Sequence, residues 1–145
     1  MSSDDAHDDQ AYRLDEQIGF LLRLASQRHT GIFADHMFPD LTPTRFSAMA
    51  KLYEKGSLSQ NELGRQTAMD ISTIKGVVDR LRARGYVDTA QDPDDARRQR
   101  VRLTESGLDT IKRAIPIAAE ISERTLEPLT QRDSDTLQRL LRKLC

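Results

Sequence analysis

Two short stretches of this chain concentrate cationic side chains of the kind that bind the phosphates and base edges of nucleic acid. From Ser72 to Tyr86 there are four bases and a single acid, Asp79. Residues 96–104 contain four arginines and no acid. Such cations supply much of nucleic-acid affinity, because neutralising a phosphate releases its condensed counterions. Either stretch alone is also typical of a solvated charged surface, but the two together predict nucleic-acid binding.

The first stretch has the spacing of a helix with one buried face, since apolar residues recur at positions 74, 77, 78 and 81. Small and polar residues fall on or beside the opposite face: Ser72, Thr73, Lys75, Gly76 and Arg80. Such a face suits a major groove. The hydroxyls and the ammonium group reach base edges or phosphates, and the glycine lets the backbone approach closely.

The second stretch is typical of a β-hairpin. Two runs beginning near Val87 and Val101 alternate apolar with polar residues, and the turn-rich segment 92–98 separates them. Arg100 and Arg102 lie between the apolar positions of the second run, so we expect both on its exposed face. Charges on an edge strand also prevent aggregation, which is the alternative reason for their presence.

Arg97 and Arg98 fall at the expected tip of this hairpin. A guanidinium at such a tip can enter a minor groove and respond to its width and negative potential. Asp95 precedes Arg97 by two residues, and we expect its carboxylate to hold that guanidinium in a bidentate pair.

The elements upstream complete a known arrangement. Thr42 with Pro43 predicts a helix start, and Ser59 with Glu62 forms a capping box that opens a short helix carrying Leu63 and Ala68. Asp70 or Ser72 caps the next helix, and Gly85 ends it in a left-handed conformation. A helix-turn-helix followed by a hairpin is a winged helix.

Long helices flank this unit. One is predicted from Leu14 to His36, over more than twenty residues, and ends before Pro39. In the helix that begins at Pro43, the residues expected on the buried face are Phe46, Met49, Ala50 and Tyr53. Thr104 caps another, which Pro116 should kink or locally unwind, and Thr130 caps a last one. Their apolar positions are Leu108, Ile111, Ile115, Ala118 and Ile121 in the first, and Leu137, Leu140, Leu141 and Leu144 in the second.

We therefore expect a mainly α fold with a small β wing. Residues 41–106 form a winged helix-turn-helix domain, residues 11–40 and 107–145 form a helical dimerisation region built from both termini, and residues 1–10 form a disordered acidic tail. With 33 Leu, Ile, Val and Phe residues in 145, the core is lean, and a subunit interface is expected to complete it.

The net charge of −1 argues against nucleic acid only until it is divided along the chain. Residues 1–16 contain six acids and one base, whereas the other 129 residues contain 21 bases and 17 acids. The body of the chain is thus cationic behind an acidic end. No apolar run is long enough to span a bilayer and the amino terminus does not resemble a signal peptide, so we expect a cytoplasmic protein without membrane contact.

These motifs together resemble those of the MarR family of winged helix-turn-helix transcriptional regulators. The segment 92–107, DPDDARRQRVRLTESG, resembles the family's wing, and the segment 71–87, ISTIKGVVDRLRARGYV, resembles its recognition helix. The resemblance implies a homodimer on a palindromic operator, associated with the nucleoid when bound. It also implies that Ser72, Thr73, Lys75 and Arg80 contact DNA, that Arg97 is the wing arginine with Asp95 as its orienting acid, and that Asp79 is structural.

The same resemblance implies a repressor released by a small effector, either an aromatic carboxylate or phenol or an acyl-CoA thioester. The pocket would lie between the first long helix, the helix from Pro43 and the base of the winged domain. Its candidate residues are Arg23, Arg28, His29, Phe33, Phe46, Met49 and Met69. The alternative interpretation, without a ligand site, is that the apolar members are core residues and the arginines face solvent.

Other functions find little support. There is no phosphate-cradling glycine loop, nucleophile elbow or paired carboxylate, so we expect neither an enzyme nor a cofactor. His29 and His36 share a helical face but lack further ligands, so we expect no metal. The lone Cys145 excludes a disulfide framework, and its position at the carboxyl end disfavours redox sensing. The remaining alternative is a winged-helix protein-interaction module without sequence-specific DNA binding.

Overall fold

The computed structural model describes residues 11–145, and the predicted acidic tail of residues 1–10 lies outside them. Within that range the chain forms six α-helices and one three-stranded sheet, which confirms a mainly α fold with a small β wing. The helices are α1 (Ile18–His36), α2 (Pro43–Lys55), α3 (Gln60–Gln66), α4 (Ile71–Ala83), α5 (Glu105–Leu126) and α6 (Gln131–Leu144). The strands are β1 (Leu58–Ser59), β2 (Val87–Gln91) and β3 (Gln99–Leu103).

Side-chain caps set the starts of five helices. In each, the residue before the helix accepts a hydrogen bond from the backbone N–H three positions on, which satisfies one of the unpaired amides of the first turn. The capping residues are Thr42, Ser59, Asp70, Thr104 and Thr130. Asp70 rather than Ser72 therefore caps α4. The amide of Thr73 and the hydroxyl of Ser72 both donate to the Asp70 carboxylate and lower the pKa of that group.

The sheet is antiparallel with the order β1-β3-β2. Thr89 and Leu58 both pair with Val101, so β3 is the central strand. The two hairpin strands confirm the alternation in the sequence. The two-residue strand β1 was not predicted, because two residues are too few to show an alternating pattern.

The core of the winged domain (residues 41–106) is built mainly by its own helices and strands and is continuous with buried residues of α1 and α5, such as Phe33 and Ile111. The predicted inner face of α4 is confirmed, since Ile74, Val77, Val78 and Leu81 are all buried. Gly85 has φ of +74°, which confirms the left-handed end of that helix. On α2 the buried residues are Ala48, Met49 and Leu52, whereas the predicted Tyr53 is 44% exposed. The inner face of α2 is thus rotated away from Tyr53.

Two helix boundaries differ from the predictions. Leu14–Glu16 form a separate 3₁₀ turn and Gln17 is extended, so α1 has 19 residues and begins at Ile18. Ala68 lies outside α3, because the chain turns there with a φ of +56° and the amide of Met69 bonds back to the carbonyl of Gly64. The apolar spacing continues across both turns, whereas the backbone conformation starts α1 later and ends α3 earlier.

Helix α5 runs without interruption through Pro116, so the expected local unwinding does not occur. Pro116 is exposed, and the turns on either side are anchored in the core by Ala114 and Ile121. The inner face also differs from the predicted one, because Leu108 and Ile115 are exposed. None of the helices in residues 11–145 has the length and apolarity needed to cross a membrane.

Both ends of the described chain expose apolar side chains. Helix α6 buries only Ser134, although four leucines repeat along it. The exposed large apolar residues in these regions are Tyr12, Leu14, Ile18, Leu21, Leu22, Leu24, Leu129, Leu137, Leu140 and Leu144. The helical part (residues 11–40 and 107–145) therefore presents an uncovered apolar surface.

Candidate nucleic-acid interface

The outer face of α4 carries all five residues that the helical spacing placed there. Ser72, Thr73, Lys75, Gly76 and Arg80 are exposed. A Cβ atom added at Gly76 would meet nothing within 4 Å, so packing inside the chain does not require a glycine at this position. The space beside it is open to an approaching ligand. The face therefore carries small, polar and cationic side chains, which suit an element that enters a DNA groove.

Asp79 organises the cations on one flank of α4. It accepts hydrogen bonds from Lys75 at 3.2 Å and from Arg82 at 2.7 Å, and these bonds lower the pKa of its carboxyl group. Arg82 also donates to the Thr89 hydroxyl of β2 at 3.3 Å. Asp79 thus links α4 to the wing through Arg82. Arg80 makes no ion pair with any of the residues 11–145, so its guanidinium can bind an external anion such as a phosphate.

The wing tip holds Arg97 well out in solvent, with 95% of its side chain exposed. Asp95 accepts a 3.0 Å hydrogen bond from the backbone amide of Arg97, and its carboxylate lies 3.7 Å from Nε of both Arg97 and Arg98. The prediction of a bidentate pair between Asp95 and Arg97 is therefore wrong. The carboxylate is turned toward the backbone and shared between two arginines, which fixes the turn and leaves most guanidinium donors of Arg97 free.

Arg100 does not lie on an exposed face as expected. Its guanidinium donates to the Ser57 carbonyl at 2.8 Å and the Ser57 hydroxyl at 3.1 Å, and it lies 3.5 Å from Asp92. The cause is the pairing of β1 with β3, which brings Ser57, the residue before β1, beside the Arg100 side chain. Arg100 joins the base of the wing to β1. Arg102, by contrast, is exposed and pairs with Asp88 at 2.7 Å.

A polar hollow of about 300 Å³ lies between the wing tip and the start of α3. Sequence reasoning missed the residues that α3 contributes, because a short capped helix with one arginine has no distinguishing pattern. The lining is Ser59, Gln60, Asn61, Arg65, Arg97, Arg98 and Gln99. The hollow extends the cationic surface from the wing toward α4.

A second cavity, of about 180 Å³, lies between α1, α2 and α5. Three of the predicted effector residues line it, His29, Phe33 and Phe46, with the two phenyl rings in edge-to-face contact. The other members were not predicted, because they come from two helices, α2 and α5, that are distant in the sequence. These are Pro43, Ser47, Ala118, Ile121 and Ser122.

His29 has a defined orientation in this cavity. Its Nδ1 lies 2.9 Å from the Thr125 hydroxyl, which itself donates to the Ile121 carbonyl. Because that hydroxyl proton is already committed, Nδ1 of His29 is the donor to Thr125. The other ring nitrogen, Nε2, has no hydrogen-bond partner among residues 11–145 and can accept a second partner.

The other four predicted effector residues lie elsewhere. Arg28 donates to the Arg124 and Thr125 carbonyls near the end of α5. Arg23 is exposed on α1, and Met49 is fully buried in the core. Met69 borders a different hollow, between α3 and α4. Within residues 11–145 no three His, Cys, Asp or Glu side chains cluster as metal ligands would.

Known transcriptional regulators are similar to this chain in sequence and architecture. The profile of the MarR family matches residues 41–98. The chain is 42% identical over 138 residues to the HTH-type transcriptional repressor NicR of Pseudomonas putida, covering 94% of this chain and 87% of NicR. A crystal structure of a probable transcriptional regulator from Pseudomonas aeruginosa superposes with a TM-score of 0.90 at 46% identity, covering 92% of this chain and 100% of that one.

A third relative is Bordetella bronchiseptica BpsR, whose DNA binding is regulated by 6-hydroxynicotinic acid. It has a TM-score of 0.83 and 35% identity, and the match covers 89% of this chain and 98% of that one. The winged domain, its flanking helices and these similarities along nearly the whole chain lead to one conclusion: the protein belongs to the MarR family of transcriptional regulators.

Proposed function

We propose that this protein is a homodimeric repressor that binds a palindromic operator and leaves it when a monocyclic aromatic carboxylate binds. The observation that carries the proposal is the pairing, on one winged domain, of an exposed polar and cationic α4 face with the solvent-projecting Arg97. The repressor function of NicR agrees with it. The alternative, an interaction module without DNA binding, offers no reason for this placement of cations.

In this proposal α4 enters the major groove and the wing reaches the neighbouring minor groove. Ser72, Thr73 and Lys75 contact base edges or phosphates, and Arg80 contacts the backbone. Arg97 enters the minor groove, while Asp95 and Arg98 shape the tip. Arg100 acts through its bonds to Ser57, by holding the wing in place.

The uncovered apolar surface on α1 and α6 supports the dimer. Large exposed apolar patches on a soluble chain usually mark an interface. A second copy would cover this surface and hold two winged domains at a fixed separation. Half-sites about one turn of DNA apart would follow from that symmetry.

The cavity beside His29 supports the choice of effector. A cavity of about 150 Å³ is enough to hold a benzene ring, so the 180 Å³ here suits one aromatic ring. Phe33 and Phe46 would contact the ring, and the free Nε2 of His29 and the hydroxyls of Ser47 and Ser122 would meet its polar groups. The cavity lies between α2 of the winged domain and α1 and α5 of the helical part, so a bound ring would bias their relative placement.

The DNA-binding claim is tested by selecting duplexes from a random pool with the full chain and measuring affinity by gel shift. Arg97→Ala should weaken binding by about 1–3 kcal/mol, roughly 5- to 150-fold in Kd. Arg113→Ala is the matched control, because Arg113 is an exposed arginine on α5. Affinity should also fall steeply with salt. Equal binding by both variants, or binding insensitive to salt, would refute the wing assignment.

The effector claim is tested by calorimetry with 6-hydroxynicotinic, nicotinic and benzoic acids, and by release of the selected duplex. His29→Ala should weaken binding of the acid without changing affinity for DNA alone. Met69→Ala is the control, because Met69 lies outside this cavity. Binding that survives His29→Ala but not Met69→Ala would place the effector in the hollow between α3 and α4 instead.

A further inference from the structure

Ile71 is an apolar side chain in an unexpected place. It is 73% exposed, more than any other large apolar side chain among residues 11–145. In the winged domain the exposed large apolar residues are Ile71 and Tyr53, whereas the others lie in the helical part. Ile71 is therefore separate from the surface that we assign to dimerisation.

Its position in α4 connects it to the polar face described above. Ile71 is the first residue of the helix, directly after the Asp70 cap and directly before Ser72. Lys75 lies four positions on and hence on the same side of the helix. Ile71 also borders the hollow between α3 and α4, beside Met69 and Ile74, and no side chain among residues 11–145 covers it. Whatever meets the amino-terminal end of α4 must meet Ile71.

The chemistry of the major groove offers one apolar feature, the C5-methyl group of thymine. The amino-terminal residues of a recognition helix are those that reach base edges. We propose that Ile71 contacts a thymine methyl group in each half-site and so determines part of the operator sequence. This inference rests on the proposed function, since it needs DNA in contact with α4. It adds a hydrophobic specificity contact to the polar ones.

Replacing thymine by deoxyuridine removes only the methyl group, which gives a direct test. In the duplex selected by the full chain, each thymine of one half-site is replaced in turn and Kd is measured. At one position the wild-type protein should lose about fourfold, the value for one buried methyl-sized group. Ile71→Ala should bind the thymine and deoxyuridine duplexes equally at that position. Ile71→Val should keep part of the discrimination.

Tyr53→Ala is the control, because Tyr53 is an exposed apolar residue on a different helix of the same domain, and it should discriminate as the wild type does. Circular dichroism of Ile71→Ala should match the wild type, since the side chain is exposed. Unchanged methyl discrimination in Ile71→Ala, or none in the wild type at any position, would overturn the inference while leaving the repressor proposal standing. Failure to select any duplex would defeat both.

Discussion

The winged domain and the helical part use the same kind of amphipathic sequence to different ends. In the winged domain the apolar faces of four elements meet inside one chain, and Leu52, Leu63, Ile74 and Val101 are almost completely inaccessible. In the helical part the corresponding faces of α1 and α6 remain open, with Leu22, Leu137 and Leu140 all exposed. The first region is buried within the chain, where α1 and α5 also contribute to its core, whereas the second leaves apolar faces uncovered.

The difference explains why a chain with few large apolar residues can fold. Most of its buried apolar side chains lie in the winged domain, where they hold α4 and the wing in fixed positions relative to each other. The outward faces of α1 and α6 are not covered by residues 11–145, and the proposed dimer would cover them. Stability in the two regions should consequently respond differently to substitution and to protein concentration.

The largest effect is expected from a charge in the open apolar surface. Leu140→Glu should convert the dimer to a monomer, because an interface would have to bury an unpaired carboxylate. Affinity for the selected duplex should fall at least about a hundredfold, since the two half-sites no longer bind as one unit. Light scattering and gel shift measure the two losses. A dimer that persists in this variant would remove α6 from the interface.

Truncation in the closed core should cost stability in a different way. Leu63→Ala should lower the free energy of unfolding by about 2–5 kcal/mol, the usual range for a buried leucine. The loss should be the same at every protein concentration. Leu22→Ala, on the open surface, should instead show a loss that grows as protein concentration rises, because the stabilisation that it removes comes from association. Urea titrations at several concentrations distinguish these patterns, and identical behaviour would erase the contrast between the two regions.

A smaller loss is expected at the seam between the regions. A Cβ atom at Gly107 would lie 1.9 Å from the carbonyl oxygen of Tyr86, so α5 begins in direct contact with the α4–β2 turn. Gly107→Ala should force these backbones apart and lower unfolding free energy by about 1–3 kcal/mol. Gly19→Ala is the matched control, because a Cβ there meets nothing within 4 Å. Equal stability of the two variants would show that the backbones at Gly107 and Tyr86 can move apart at little cost, and would contradict the prediction.

The smallest effect concerns pH. Tyr86 donates a hydrogen bond to Asp40, in the segment between α1 and α2, and this bond raises the pKa of Tyr86 above its usual value near 10. The folded state therefore favours the protonated phenol, and this contribution is present below about pH 10 and is lost as pH rises through the higher folded pKa. Unfolding free energy should fall more steeply above pH 10 in the wild type than in Tyr86→Phe. Tyr53→Phe, at an exposed tyrosine, should retain the wild-type slope.

Much of the architecture is predictable because it depends on local signals. The capping residues Thr42, Ser59, Thr104 and Thr130 bond to amides three residues away, and the inner face of α4 follows from spacing alone. Such signals do not depend on distant parts of the chain. The exposed face of α4 is predictable for the same reason, as the complement of the buried one.

The features that sequence reasoning missed depend on contacts between distant segments. Arg100 is turned inward by β1, about forty residues earlier, and no local pattern announces that strand. Ser47 and Ser122 share a cavity only because α2 packs on α5. Ile71 has the spacing of the core residues Ile74 and Val78 but is exposed, and its importance appears only when that exposure is known.

The central claim is that two copies of this chain bind one operator together. Native mass spectrometry of the full chain with its selected duplex tests this directly. The account predicts a complex of one duplex with two chains of 16.5 kDa each, and the loss of that complex in Leu140→Glu. A complex with a single chain, or no complex at low salt, would contradict it.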